Sequence, residues 1–240
     1  MMNILITGVS RGLGLQIAKT LLDVGHNVYG ISRTTTEEVE ILKEKYPKNF
    51  NFEILDLSDD VNVVDNLKKI IPKGVVLHGY VNNAAIAYDD IITNINLDKL
   101  KLMYNVNVFS PLMITKFIIR NMILNKVKGS IVHISSISTQ TGYKGLSMYA
   151  STKGALEAFS KNTAREWGEK GIRSNCIISG FMDTDMSSTL DESLKTKIMN
   201  RTCLRQLTDI TSVANTVEFI LSDKSSSITG QLINVDSGTI

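Results

Sequence analysis

Apolar and polar positions follow two rhythms along the 240 residues of the chain. Short apolar runs bounded by turn residues predict strands over 3–7, 27–32, 51–55, 75–82, 130–135, 173–179 and 231–235. Between them, apolar residues recurring every three or four positions predict helices over 12–24, 36–46, 60–71, 97–125, 148–169, 187–199 and 209–222. Apolar strands that take turns with helices imply a parallel sheet covered on both faces. The expected fold is therefore α/β, a Rossmann-type doubly wound parallel sheet of about seven strands flanked by helices. Nothing along the chain reads as a linker or a repeat, so residues 1–240 are expected to form one domain. Two local features refine the pattern. Asp98 is placed to cap the 97–125 helix, and Pro111 inside it predicts a break or kink near Ser110.

A net charge of +2 is too small to mark a nucleic-acid or membrane surface. The N-terminal Met1 to Ile6 lacks a basic flank and reads as the first strand, not a signal peptide, and no membrane span is expected. Cys176 and Cys203 are far apart without metal-ligand spacing. Cys176, in an apolar run, reads as a buried thiol. That suits a reducing compartment, and a cytoplasmic location is expected. No group of His, Cys, Asp or Glu has the spacing of a metal site. His133, within an apolar strand, reads as a core histidine bonded to backbone.

The candidate chemistry begins at the first turn. Thr7-Gly8-Val9-Ser10-Arg11-Gly12-Leu13-Gly14 runs from strand through a glycine-rich turn into a helix. Glycines permit the sharp turn and close ligand approach, and the helix N-terminus favours an anion, which suits a dinucleotide pyrophosphate. The second strand ends Ile31-Ser32-Arg33 with no acid to accept a ribose 2′-hydroxyl. Arg33, with Arg11, would instead pair a 2′-phosphate, so NADP(H) is favoured over NAD. Asp56-Leu57 follows the third strand, where Asp56 would either meet an adenine amine or cap the next helix. Asn82-Asn83-Ala84-Ala85 closes the fourth and suggests backbone lying close to a ligand.

Tyr149 and Lys153 stand four apart on a predicted helix and so share a face. A neighbouring ammonium is expected to lower the phenol's pKa and fit it for proton exchange with an alcohol or carbonyl. Ser136, leaving the end of the 130–135 strand, would hold the substrate oxygen beside it.

Taken in order and spacing, Thr7-Gly8-x-x-x-Gly12-x-Gly14, Asp56, Asn82-Asn83-Ala84, Asn107, Ser136, Tyr149-x-x-x-Lys153, Ser179-Gly180-Phe181-Met182-Asp183-Thr184 and Ile233-Asn234-Val235-Asp236-Ser237-Gly238 resemble the single-domain short-chain dehydrogenase/reductase family over nearly the whole chain. The resemblance is nearest to its 3-oxoacyl-[acyl-carrier-protein] reductase branch. It implies an NADPH-dependent reductase of a carbonyl, with Tyr149 as general acid, Lys153 beside it, Ser136 on the substrate oxygen and Asn107 holding a water that feeds protons to Lys153. It further implies that Thr184 holds the nicotinamide carboxamide, that Ile178 lines the nicotinamide's other face and that Asn83 lies along a ribose. Gly180 belongs to the same motif.

Two departures stand out. Ala85 replaces a glycine, which is expected to narrow the pocket. Ser179 replaces a proline, which is expected to loosen the loop. The segment 181–207, with Met182, Met186 and Leu190, is expected to form a substrate lid, and Gln140 to Lys144 to rim the pocket. Lys128 and Lys170 are candidates to meet an acidic carrier protein. The apolar excess in 109–125, together with the resemblance to a family in which this helix and the 148–168 helix pack against a second subunit, implies a homotetramer or homodimer. Alternatives of other classes are an NADP(H)-binding regulator without catalysis, and a reductase or epimerase of a modified sugar.

Overall fold

The structure, a computed structural model, describes residues 1–183 and 192–239. Seven parallel strands form one sheet: β1 (Asn3–Thr7), β2 (Asn27–Ser32), β3 (Phe50–Ile54), β4 (Gly79–Asn82), β5 (Ser130–Ser136), β6 (Arg173–Ser179) and β7 (Leu232–Val235). Their order is β3-β2-β1-β4-β5-β6-β7. The chain winds outward from β1 to one edge, then returns across β1 to build the other half. A doubly wound sheet leaves its crevice at that reversal, outside the carboxyl ends of β1 and β4.

The helices are α1 (Gly12–Asp23), α2 (Glu37–Lys45), α3 (Val63–Ile70), α4 (Leu97–Tyr104), α5 (Ser110–Leu124), α6 (Ser138–Thr141), α7 (Ser147–Trp167), α8 (Glu192–Met199) and α9 (Ile210–Leu221). Alternate strand residues face opposite layers. Ile4, Ile6, Val81, Val132 and Ile177 join a core with Ile17, Leu21 and Val217 from α1 and α9. Leu5, Tyr80 and Ile131 join a second core with Leu67, Ile114 and Ile118 from α3 and α5. Both cores need near-continuous apolar strands, which is why those runs stood out in the sequence.

Four expectations change. The fourth strand covers only the last half of 75–82. Three backbone groups before it bond to side chains: Leu77 N–H donates to Asn121 Oδ1 (2.9 Å), and Val75 and Val76 carbonyls accept from the Asn121 and Asn3 amides. The break near Pro111 is a π turn over Asn105–Phe109 that joins α4 to α5. Proline brings no N–H for the carbonyl of Asn107 four residues back, so the α-helical ladder cannot run on through this point. The cap of α4 is Asn96, whose side chain accepts from Asp98 and Lys99 N–H groups, and Asp98 lies in the first turn. Finally, the 97–124 stretch, continuous through the π turn, is long and apolar enough to cross a membrane by length and composition. It packs on the sheet through the second core, with 56% of its most apolar part buried.

His133 is wholly buried, but its Nδ1 pairs with the Asn82 side-chain amide (3.3 Å), not with backbone. Burial pushes it down to about 3, with Lys153 adding to the effect, so it is neutral at any ordinary pH.

Candidate active site

The site is assembled at the carboxyl edge of the sheet. β1 ends at Thr7, and the turn that follows holds Gly8 at φ +76° and Gly12 at φ +55°, left-handed backbone that side chains disfavour. A Cβ on Gly14 would stand 2.0 Å from the Gly8 carbonyl oxygen, and one on Gly8 would stand 2.9 Å from Ala84 Cα. The turn, the start of α1 and the 83–84 segment therefore close on one another with no space for a methyl group.

Side chains from the neighbouring strand ends brace this turn. Thr7 Oγ1 accepts from the N–H groups of Asn83 and Ala84, both at 3.0 Å. Asn83 Nδ2 donates to the carbonyls of Thr7 (3.0 Å) and Gly8 (3.1 Å). Its donor is thus engaged with the turn, where the sequence suggested a place along a ribose. Ser10 is gripped from both sides: its N–H donates to Ser32 Oγ (3.0 Å) and its carbonyl accepts from Thr36 Oγ1 (2.8 Å).

A cavity of about 630 Å³ runs along this edge. Taken in strand order, its lining runs from Asp56 and Leu57 after β3 and Arg33 after β2, through Gly8, Ser10, Arg11, Gly12, Leu13 and Gly14 after β1, to Asn83 and Ala84 after β4, and it includes Tyr149 and Lys153 of α7. Asp56 Oδ1 accepts from the Ser58 N–H (2.9 Å), so it orders the turn after β3 while also facing the cavity.

The buried Lys153 donates from Nζ to the Ile134 carbonyl (2.9 Å), and Nζ lies 5.6 Å from the centre of the Tyr149 ring. Burial pushes the lysine down to about 8. For Tyr149 the expected direction is reversed. Burial pushes the phenol above its ordinary value of 10.0, and the Asp89 carboxylate pushes the same way. Lys153 sits over the ring and gives its hydrogen bond to backbone, so its charge does not offset these effects at the hydroxyl.

Ser136 closes β5, one residue beyond the cavity-lining Ser135, and its Oγ accepts from the N–H (3.2 Å) and hydroxyl (3.0 Å) of Ser138. Asn107 is buried in the π turn. Its side chain accepts from Ile86 N–H and donates to Ile86 carbonyl (both 2.9 Å), and it lies 3.1 Å from Thr152 Oγ1. It thereby ties the loop after β4 to α7, one residue from Lys153.

Four expected site residues, Ser136 and Asn107 among them, do not line the cavity, and one lies outside the described residues. Ile178 is wholly buried within β6 and does not line the cavity. Gly180 lies behind it: a Cβ there would meet Thr208 Oγ1 at 2.2 Å and Asp236 Cα at 2.7 Å, so this glycine serves packing. Thr184, and with it part of the expected lid, falls outside the described residues. Ser179 does line the cavity, and its hydroxyl donates to the Ser135 carbonyl (3.1 Å), which ties down the loop that loss of proline was expected to free. Thr7, Ser32 and Thr36 were given no role from sequence. Small hydroxyl residues at strand ends are a signal for such braces only once the strand order is known.

The family model described as "Enoyl-(Acyl carrier protein) reductase" matches residues 8–239. The chain belongs to the short-chain dehydrogenase/reductase family. It is an oxidoreductase of that family. It is 33% identical to the 3-oxoacyl-[acyl-carrier-protein] reductase FabG of Chlamydia trachomatis, covering 98% of this chain and 95% of that one. It is 32% identical to an L-xylulose reductase of Caenorhabditis elegans, over 98% and 94%. Among solved structures, a short-chain type dehydrogenase/reductase from Mycobacterium ulcerans superposes with TM-score 0.92 at 26% identity, covering 99% and 89% of the two chains. A structure titled "ElxO with NADP Bound" gives 0.88 at 28%, over 99% and 98%.

Proposed function

We propose that this short-chain dehydrogenase/reductase uses NADPH to reduce a carbonyl to an alcohol, with a 3-oxoacyl thioester as the first substrate class to test. The observation that carries the reading is that Tyr149 and Lys153 line the same cavity as the glycine turn. The residues fit the coenzyme. The turn admits no side chain at Gly8 or Gly14 and ends in a helix N-terminus, which suits a pyrophosphate. Arg33 and Arg11 flank the end where a 2′-phosphate would sit. Bound there, the dihydronicotinamide would supply hydride. NADP bound in a 28%-identical structural neighbour supports the same choice.

In this reading Tyr149 delivers the proton. Its raised pKa keeps the phenol protonated at neutral pH, which is the form a general acid needs in the direction of reduction. Lys153 holds the far side of the tyrosine and takes part in recharging it. Asn107 fixes the loop over this end, and Ser136 bonds the substrate oxygen. One domain carries both coenzyme and substrate, with Met182, which lines the cavity, on the substrate side. Exposed Leu97, Leu102 and Phe109 on the α4–α5 face support assembly as a homotetramer or homodimer. Two free cysteines support work in a reducing compartment such as the cytoplasm.

The L-xylulose reductase relative favours a second reading, in which the substrate is a hydroxylated ketone. NADPH absorbance with a panel of 3-oxoacyl thioesters, carrier-bound and free, and of keto-sugars separates the two. Absence of turnover with every carbonyl, alongside tight NADPH binding, would overturn reduction and favour a coenzyme-binding regulator.

A further inference from the structure

We propose that Ser138 is a positioning residue that aims the Ser136 hydroxyl at the substrate oxygen; this rests on the reductase reading above. A serine hydroxyl has one proton to give and two lone pairs to receive with. Ser138 fills the receiving side twice, through its N–H at 3.2 Å and its Oγ at 3.0 Å. With both lone pairs occupied, the Ser136 proton is left to point away from Ser138.

The surroundings leave the hydroxyl rotor as the one part of Ser136 still to be set. Its backbone is held by the ladder that pairs Ser136 with Ser179, and the next N–H, of Ile137, donates to the Ser179 carbonyl (2.9 Å). Thr139 Oγ1 lies 2.9 Å from the Ser136 carbonyl and 2.8 Å from Glu157 Oε1. Ser138 itself is buried at 4% exposure, so water does not compete for its hydroxyl. The short helix α6 thus presents a fixed pair of donors to one oxygen. An alanine at 138 keeps the N–H and loses the second donor, which frees the Ser136 proton to turn inward.

Two measurements test this. The first needs no turnover. In a Cys203→Ser background, which removes the exposed thiol, Ser136→Cys places a thiol at the same point, and its pKa is read from the pH dependence of iodoacetamide alkylation. Donors aimed at this atom stabilise the thiolate, so adding Ser138→Ala is expected to raise that pKa by roughly half a unit or more. An unchanged pKa overturns the inference, whatever the enzyme turns over. The second is a double-mutant cycle on carbonyl reduction, with melting midpoints confirming that each variant is folded. Ser138→Ala is expected to lower kcat about three- to tenfold with KM for NADPH unchanged, Ser138→Thr to retain most activity, and Ser138→Ala to cost nothing further once Ser136 is alanine. Additive losses overturn the positioning role. A thiol shift in a protein that reduces no carbonyl would leave the geometry standing and bring down the reductase reading instead.

Discussion

Lys153 is a charge held at 2% exposure, and that arrangement must weaken the fold. Its ordinary value is 10.5, and burial pushes it down to about 8. Each pKa unit corresponds to about 1.4 kcal/mol, so keeping this ammonium charged in the folded state costs about 3 kcal/mol at pH 7. Replacing it by Met keeps the unbranched stem and removes the charge. The variant also loses the Nζ to Ile134 bond, worth about 1 kcal/mol. Lys153→Met should therefore be more stable than wild type by about 2 kcal/mol at pH 7. The sign fixes the pH window. Below about 8 both folded and unfolded lysine are protonated, and the penalty is fully present. Between about 8 and 10.5 only the unfolded state holds the proton, so wild-type stability rises with pH while that of the variant does not. Above 10.5 both are neutral and the advantage of the variant is gone. Urea unfolding followed by circular dichroism at pH 7, 9 and 10.5, at one protein concentration, measures this. A variant no more stable than wild type at pH 7, or an advantage that stays constant to pH 10.5, would refute the reasoning.

Other outcomes follow from single contacts. Tyr149→Phe should keep NADPH binding, measured by fluorescence titration, while turnover falls by about 10²–10⁴-fold. Arg33→Ala should raise KM for NADPH by about 10- to 100-fold and leave KM for NADH nearly unchanged, the loss of one charge-assisted contact. Gly14→Ala forces a methyl onto the Gly8 carbonyl and should cost about 3 kcal/mol or more in unfolding free energy, with coenzyme binding lost. Of the two thiols, Cys203 should react with a thiol reagent in the native protein. Cys176, buried and pushed up to about 12, should react only after denaturation, as mass spectrometry would show.

The features legible in the sequence are those whose cause is local. Strand runs, the glycine turn, and Tyr149 beside Lys153 all follow from periodicity or from one helical turn, and the structure brings them to one cavity. Pro111 announced an interruption because a missing N–H is written in the residue itself. Whether that interruption is a kink or a π turn depends on how α4 and α5 pack, which no nearby residue states. The Ser10 braces from Ser32 and Thr36 span more than twenty positions and exist only because β2 lies beside β1. The surroundings of Ile178 and Gly180 were hidden for the same reason. They neighbour the motif in sequence, but the pleat turns one into the sheet and packing claims the other. The direction of the Tyr149 shift was missed because spacing shows that an ammonium is near, and burial decides whether its charge prevails.

The reversal of winding at β1 also divides the labour of the cavity by position in the gene. Every group expected to greet the adenosine half, from Gly8 through Arg33 to Leu57, is encoded before residue 60, and the proton-handling groups come from Asn107 onward. A graft of the first three strand–helix units from a relative would therefore exchange the cofactor side only if the fit of Thr7, Gly8 and Gly14 against Asn83 and Ala84 is carried over with it.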